Sequence, residues 1–376
     1  MGLEFGVLGP LQMSVDKAPV PLGTPKQRAV LAMLVINRRR PVGVDSLITA
    51  VWEESVPTGA RASLHTYVSN LRRLLGTGAS APEVLVNAPP GYRLDIAEQD
   101  CDIGRFAIEK SAGMHEAAAG RFEQASQRLS TALAEWRGPV LEDLRDLQFV
   151  DAFATALVEE KMMAHAAWAE SEIACGRAFA VIGELEALTA EHLYREPLWA
   201  QLITAYYLAD RQSDALDAYQ RLKKTLADDL GIGPGPAVRS LYERILRQEP
   251  LDVKAAAQIT AADAVSAIDQ LTAVNANSAY ARLRDTSGQS HPMPAAATRI
   301  GRLPDNDIVL VDANVSRHHA VIIDTGTSFV ITDLRSANGV EVQHERIRGT
   351  ATLADGDTIR ICQHEFIFEI KDREAD

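Results

Sequence analysis

Cysteine is scarce in this chain of 376 residues. Its three cysteines, Cys101, Cys175 and Cys362, lie far apart in sequence, which gives neither a disulfide framework nor a zinc pattern. All three thiols are therefore expected to be free and reduced. Long apolar runs are also missing. The longest, Ala29 to Ile36, has eight residues, far short of the ~20 that a membrane span needs. The opening MGLEFGVLGPL lacks a basic segment before its apolar residues and reads as a strand rather than a signal peptide, so a cytoplasmic protein without membrane attachment is expected. There is no Walker loop, no GxSxG and no cluster of metal-ligand spacing, so no cofactor, metal or enzymatic activity is expected. Ser316 and His319 have the spacing of a nucleophile and base, but their setting between two other loop motifs argues against that role. A positive overall charge is absent too. The net charge of −13 excludes nonspecific nucleic-acid binding by the chain as a whole.

Charge is nevertheless unevenly placed. Residues 1–99 carry ten Lys and Arg against eight Asp and Glu, whereas the rest carries 28 against 43. A mildly basic head on an acidic body fits a DNA-reading module held on a scaffold that does not itself adhere to phosphates. The texture of the sequence changes in step. Residues 1–99 mix short strands and helices, 100–250 are almost unbroken amphipathic helix, and 280–376 hold short strands between Gly, Asp and Asn turns. Residues 251–279 contain ten alanines and no Gly, Pro or aromatic residue, which reads as a linker without a core of its own.

In the first block, Leu3–Leu8 and Leu11–Val15 read as strands. Thr24-Pro25 then opens a helix, with Thr as cap and Pro at the first helical position. A second short helix follows, with Asp45 as its expected cap. A third is expected over Ala60–Leu75, with Leu64, Val68, Leu71 and Leu75 forming one buried stripe. Val84–Asn87 and Tyr92–Ile96 make a closing hairpin. This order is that of a winged helix-turn-helix. Opposite the buried stripe of the third helix stand Ala62, Thr66, Ser69, Asn70 and Arg73, side chains suited to base edges in a major groove. Arg61, His65 and Arg72 flank that face and suit phosphates. Arg93 sits in the wing, where it would meet a minor groove. The motifs TPKQR (24–28), HTYVSNLRRL (65–74) and PGYRL (90–94) resemble the DNA-binding domain of SARP-type actinobacterial regulators, a domain of the OmpR kind. The resemblance implies promoter DNA as a partner.

In the helical block, Trp199, Leu202, Tyr206, Ala215 and Tyr219 match the tetratricopeptide helix-turn-helix pattern. Gly120-x4-Ala125-x3-Leu129 and Gly176-x4-Val181-x3-Leu185 repeat the spacing of Asp210-x4-Ala215-x3-Tyr219. Trp136-Arg137-Gly138-Pro139 interrupts the array. The block resembles the bacterial transcriptional activation domain of the same regulators. A helical-repeat scaffold suggests protein contacts, either a homodimer on DNA or an RNA polymerase subunit, and the residues do not choose between them.

The last block carries Gly301-Arg302, Asp305-Asn306-Asp307, Ser316-Arg317-His318-His319 and Asn338-Gly339 in the loops between short strands. This order resembles a forkhead-associated domain, an all-β sandwich that binds phosphothreonine peptides. A dianionic phosphate calls for a fixed guanidinium and hydroxyl donors. By the resemblance, Arg302 holds the peptide or the phosphate, Ser316 bonds the phosphate, Asn338 bonds the peptide backbone, and Arg317 adds positive charge. Many such domains have Ser or Thr before the asparagine of the NG pair; here Ala337 stands there, with Ser336 as a partial substitute. Binding that is weakened but retained is the expectation. His319 and Gly301 are expected to shape the loops rather than touch ligand.

The full expectation is a multidomain protein: a winged helix-turn-helix (α+β) over 1–99, an all-α repeat domain resembling tetratricopeptide arrays over 100–250, a linker over 251–279 and a forkhead-associated sandwich over 280–376. That order resembles the EmbR-type regulators of mycobacteria. The resemblance implies a transcription regulator that docks on a phosphothreonine of a Ser/Thr protein kinase and acts on cell-wall arabinan genes. A kinase-binding antagonist of a related regulator, with vestigial DNA contacts, is the alternative.

Overall fold

The structure is a computed structural model. It describes residues 2–53, 55–76, 84–275, 279–293, 297–304, 306–325, 328–347 and 349–372. Asp305 of the third block's loop motif lies outside these residues. Packing divides the chain into two compact units. The first holds Met1–Ala107, Glu135–Glu159 and Ala267–Asp376, and the second Ile108–Ala134 with Glu160–Ser266.

The first unit opens with β1 (Leu3–Gly6), β2 (Gln12–Val15) and β3 (Ala18–Pro19), an antiparallel three-stranded sheet. Then α1 (Pro25–Ile36) begins at Thr24, whose hydroxyl accepts from the Gln27 amide at 3.3 Å. β4 (Val42–Gly43) leads to α2 (Val44–Trp52) and α3 (Ala60–Leu74). Gly43, not Asp45, occupies the cap of α2; Asp45 lies inside the first turn of the helix, where its carboxylate meets Arg61 of α3 at 2.7 Å. Leu64, Val68, Leu71 and Leu75 are buried as one stripe, and Gly76 at φ 70° ends the helix. β5 (Leu85–Ala88) and β6 (Gly91–Leu94) form the wing, with β4 paired to β6.

Asp102 ties this head to the chain beyond the wing. It is 2% exposed, yet its carboxylate accepts from the amides of Val7, Leu8 and Ile103 at 2.8–2.9 Å and from Arg137 at 3.0 Å. A buried carboxylate is tolerable only when so satisfied. The Trp136–Pro139 interruption is thereby explained: Arg137 donates its amide to Leu8 O, and Trp136 packs edge-on against Phe106.

The helices α4 (Asp102–Ala118), α5 (Phe122–Leu133), α6 (Gln148–Ala174), α7 (Ala178–Glu191), α8 (Glu196–Leu208), α9 (Gln212–Leu230) and α10 (Pro236–Leu246) come next in the chain. In the second unit, the turns before α5, α7 and α9 share one construction. Gly120, Gly176 and Asp210 all take positive φ, and the next residue, an arginine each time, donates its amide to a carbonyl five residues back. This is the left-handed helix stop with its six-residue hydrogen bond. Ala125, Val181 and Ala215 are fully buried behind these turns. The stretch expected as a linker forms α11 (Val253–Asn275). Alanine has the strongest helix propensity, and Ala257 and Ala261 pack on Phe122, Ala125 and Ala174, so the segment borrows a core instead of making one.

The sandwich belongs to the first unit. Its strands are β7 (Ala279–Asp285), β8 (Ser290–Pro292), β9 (Ala297–Gly301), β10 (Ile308–Val309), β11 (Ala320–Asp324), β12 (Phe329–Asp333), β13 (Val340–Val342), β14 (Glu345–Arg346), β15 (Thr350–Leu353), β16 (Thr358–Ile361) and β17 (His364–Asp372). One sheet has the order β10-β9-β11-β12-β15 and the other β14-β13-β16-β17-β7-β8. Between them lie Leu283, Ile300, Ile322, Ile331, Ile359, Phe366 and Phe368. The outward residues of the central strands, Val321, Ile323, Val330 and Thr332, are buried as well. An antiparallel sheet with one wet face would alternate. Here the second face is covered within the same unit, where Arg40 meets Asp324 at 2.6 Å and Thr350 donates to Glu159 at 3.3 Å.

Candidate phosphopeptide and DNA interfaces

The loops at one end of the sandwich bring together most of the residues expected there. Gly301 ends β9 where Arg302 donates its amide to Ser316 O at 3.0 Å. A Cβ on Gly301 would lie 2.3 Å from the carbonyl of Arg317, so only glycine permits this approach. His319, fully buried, pins the next loop. Its Nδ1 accepts from the Ser316 amide at 3.0 Å, so Nε2 carries the proton and donates to Gly339 O at 3.0 Å. One imidazole thus fixes the serine loop against the asparagine loop. The Ser316 hydroxyl accepts from the Ala337 amide at 3.1 Å, and Asn338 donates through Nδ2 to Asn314 O at 2.8 Å. Gly339, at φ 79°, makes the turn.

Arg302, Ser316, Arg317, Ala337 and Asn338 line one cleft. Arg302, Arg317 and Asn338 are exposed there and Ser316 is half-buried. Ser336 is not brought to it. Its hydroxyl accepts from the Gly339 amide at 2.9 Å, and its own amide donates to Asp333 at 2.8 Å, so it serves the turn of its own loop. Further cationic and titratable side chains line the cleft, among them Arg299, Arg335 and His318. Sequence reading passed over them because they stand beside the motif positions rather than on them.

On the winged helix, Thr66 and Ser69 are exposed on the outer face of α3, as are Ala62 and Arg73. Asn70 bridges inward and outward: Nδ2 donates to Gln27 at 3.2 Å while Oδ1 accepts from Arg73 at 3.3 Å. His65 meets the Tyr92 hydroxyl at 2.8 Å, which joins α3 to the wing. Arg72, expected to face phosphate, is held by the wing instead, donating to Leu85 O at 2.9 Å and Asn87 at 3.0 Å with its guanidinium over the Tyr92 ring. Arg93 forks onto Asp95 at 2.6 and 2.8 Å, which raises its pKa above the ordinary guanidinium value through that hydrogen bond and charge. It keeps its place at the wing, with its donors shared. No helix among the described residues is long and apolar enough to cross a membrane.

These two sites belong to a transcriptional regulator with a winged-helix head and a forkhead-associated tail. Residues 18–94 match the transcriptional regulatory protein C-terminal family, 101–246 the bacterial transcriptional activator domain and 298–362 the FHA domain. The chain is 70% identical over 370 residues to the transcriptional regulatory protein EmbR of Mycobacterium tuberculosis, covering 98% of this chain and 95% of that one. It is 51% identical over 252 residues to the transcriptional regulatory protein MoaR1 of the same organism, covering 66% of this chain and 81% of that one. The solved structure of M. tuberculosis EmbR in complex with a low affinity phosphopeptide is similar at a TM-score of 0.96, with 98% of each chain covered. The chain belongs to the EmbR family of transcriptional regulators.

Proposed function

We propose that this protein binds promoter DNA through α3 and the wing, and docks through the sandwich loops on a phosphothreonine of a Ser/Thr protein kinase. By its likeness to the EmbR relatives, the genes it acts on are those for cell-wall arabinan synthesis, and it works in the cytoplasm. The observation that carries the docking is the convergence of Arg302, Ser316 and Asn338 on one cleft, with the His319 bridge holding the last two loops in register. A guanidinium, a hydroxyl and a carboxamide so arranged are the donors a phosphothreonine and its backbone require.

Arg302→Ala and Ser316→Ala are expected to abolish binding of the full chain to a phosphothreonine peptide while leaving promoter binding unchanged. Titration of phosphorylated and unphosphorylated peptides, paired with a mobility-shift assay, reads both. Normal peptide binding by both variants rejects the docking.

The engagement of Arg72 and Arg93 by the wing itself favours one other reading, an antagonist that captures the kinase but barely touches DNA. The mobility shift separates them. The regulator shifts promoter fragments and loses affinity with Arg73→Ala; the antagonist gives no shift at any salt concentration.

A further inference from the structure

Gln27 lies in the first turn of α1 and is 5% exposed. A buried carboxamide needs partners at both its ends. Its Nε2 donates to Leu22 O at 2.9 Å, and its Oε1 accepts from Asn70 Nδ2 of α3 at 3.2 Å. Gly23, at φ 81°, leaves room for this side chain; a Cβ there would stand 2.9 Å from Gln27 Nε2. Asn70 Oδ1 in turn accepts from Arg73 Nη2 at 3.3 Å, so a chain of hydrogen bonds runs from the interior of the winged helix to its outer face.

The two ends of that chain fix its direction. Leu22 O can only accept, and the Arg73 guanidinium can only donate. Each carboxamide between them therefore has one orientation, with Gln27 Oε1 toward Asn70 and Asn70 Oδ1 toward Arg73. An asparagine reads adenine by turning both its amide nitrogen and its oxygen to the base edge. Here the nitrogen is bonded to a buried partner and the oxygen braces an arginine, so Asn70 does not offer that pair. Arg73 is exposed on the outer face of α3, and the brace uses one of its several N–H donors. A guanidinium fork held in place suits the O6 and N7 of guanine.

We propose that Gln27 and Asn70 are positioning residues: they aim Arg73 at a guanine in the major groove, and Asn70 itself reads no adenine. This rests on the promoter-binding reading above and adds one base of the target and the buried residue behind its recognition. Holding a long side chain in its bound geometry removes an ordering cost from binding. Loosening it is therefore felt in the choice of base, whereas general affinity for DNA comes from phosphate contacts made by other side chains.

The test selects duplexes from a randomised library with the full chain. Affinities are then measured for the selected duplex, for the same duplex with the guanine replaced, and for an unrelated one. Wild type is expected to enrich guanine at a position where Arg73→Ala loses it. Gln27→Met keeps the volume and removes both side-chain bonds. It is expected to reduce guanine discrimination about three- to ten-fold while affinity for the unrelated duplex holds. A merely structural role for Gln27 would weaken all three duplexes alike. Asn70→Ala breaks the same chain from the surface of α3 and leaves the α1 core intact, so it reads the chain even where Gln27→Met fails to fold. It is expected to relax the guanine preference to the same degree. Guanine discrimination that Asn70→Ala leaves unchanged, or an adenine preference that it removes, overturns the proposal. So does a uniform loss in a folded Gln27→Met, or a wild type that enriches no guanine. If wild type binds no duplex at all, the promoter-binding reading is what fails.

Discussion

In the proposed docking, position 337 is expected to set how tightly the phosphothreonine is held. The Ala337 amide donates to Ser316 and its methyl group faces the cleft, exposed, so the backbone there is already fixed by a neighbour of the phosphate site. Ala337→Ser would add a hydroxyl donor to a charged acceptor without disturbing that bond. Such a bond contributes about 1.5–3 kcal/mol, ten-fold or more in affinity. Calorimetric titration of one phosphothreonine peptide against wild type and Ala337→Ser is expected to give the serine variant the tighter Kd; equal values remove position 337 from the affinity. Ser336 does not line the cleft, and its hydroxyl oxygen accepts from the Gly339 amide within its own turn. Sequence reading could place Ser336 in the right loop but could not see which way it turned, because one residue's rotation in a tight turn leaves no periodic trace. His319 was different: a histidine three residues after Ser316 in a strand-entry loop has few places to go but inward, and its architectural role was legible.

At the scale of helices and strands, legibility followed locality. The helix stops at Gly120, Gly176 and Asp210 were readable as a shared spacing, even with an aspartate in the third, because each turn is built from its own residues. The anchor at Asp102 was not, because its partners Val7 and Leu8 come from the turn after β1 and Arg137 from a distant interruption. The covered outer face of β11 and β12 left a trace in the unbroken apolar runs AVII and FVI, but nothing local said what covers it. The long helix α6 contains a similar nonlocal effect with a pH signature. Burial pushes the Glu170 carboxyl up to about 7, while Gln201 of α8 donates to it at 2.7 Å. The native state therefore binds this proton more tightly than the unfolded chain does. Its contribution is fully present below the unfolded carboxyl range and is lost as pH rises through about 7. The loss amounts to roughly 3–4 kcal/mol. Glu170→Gln keeps the shape and removes the titration. It is expected to raise the melting temperature at pH 8 and to leave it nearly unchanged at pH 4; an equal effect at both values would exclude the buried carboxyl as the cause.

At the scale of the molecule, the two interfaces meet at one element of the first unit. Ser46, Thr49 and Ala50 of α2 line the phosphopeptide cleft. The same helix supports the DNA-reading helix, since Trp52 stacks on Tyr67 with centroids 6.1 Å apart and Asp45 pairs with Arg61. None of Arg61, His65, Thr66, Ser69, Asn70, Arg72, Arg73 or Arg93 lines the cleft, so a bound phosphopeptide leaves the DNA face uncovered. Both ligands should therefore bind one molecule at once, and each should alter the other's affinity through α2. Linkage requires the factor to be the same in both directions. A coupling of about 1 kcal/mol, roughly five-fold, is the scale that one repositioned helix supports. Titrating promoter DNA with and without saturating phosphopeptide, and phosphopeptide with and without DNA, is expected to return one common factor. Tyr67→Ala should bring that factor toward one while both separate affinities persist, because it removes the stack that joins α2 to α3 and touches neither ligand's candidate contacts. Displacement of the peptide by DNA would show that the two interfaces overlap, and a factor unmoved by Tyr67→Ala would take α2 out of the path between them.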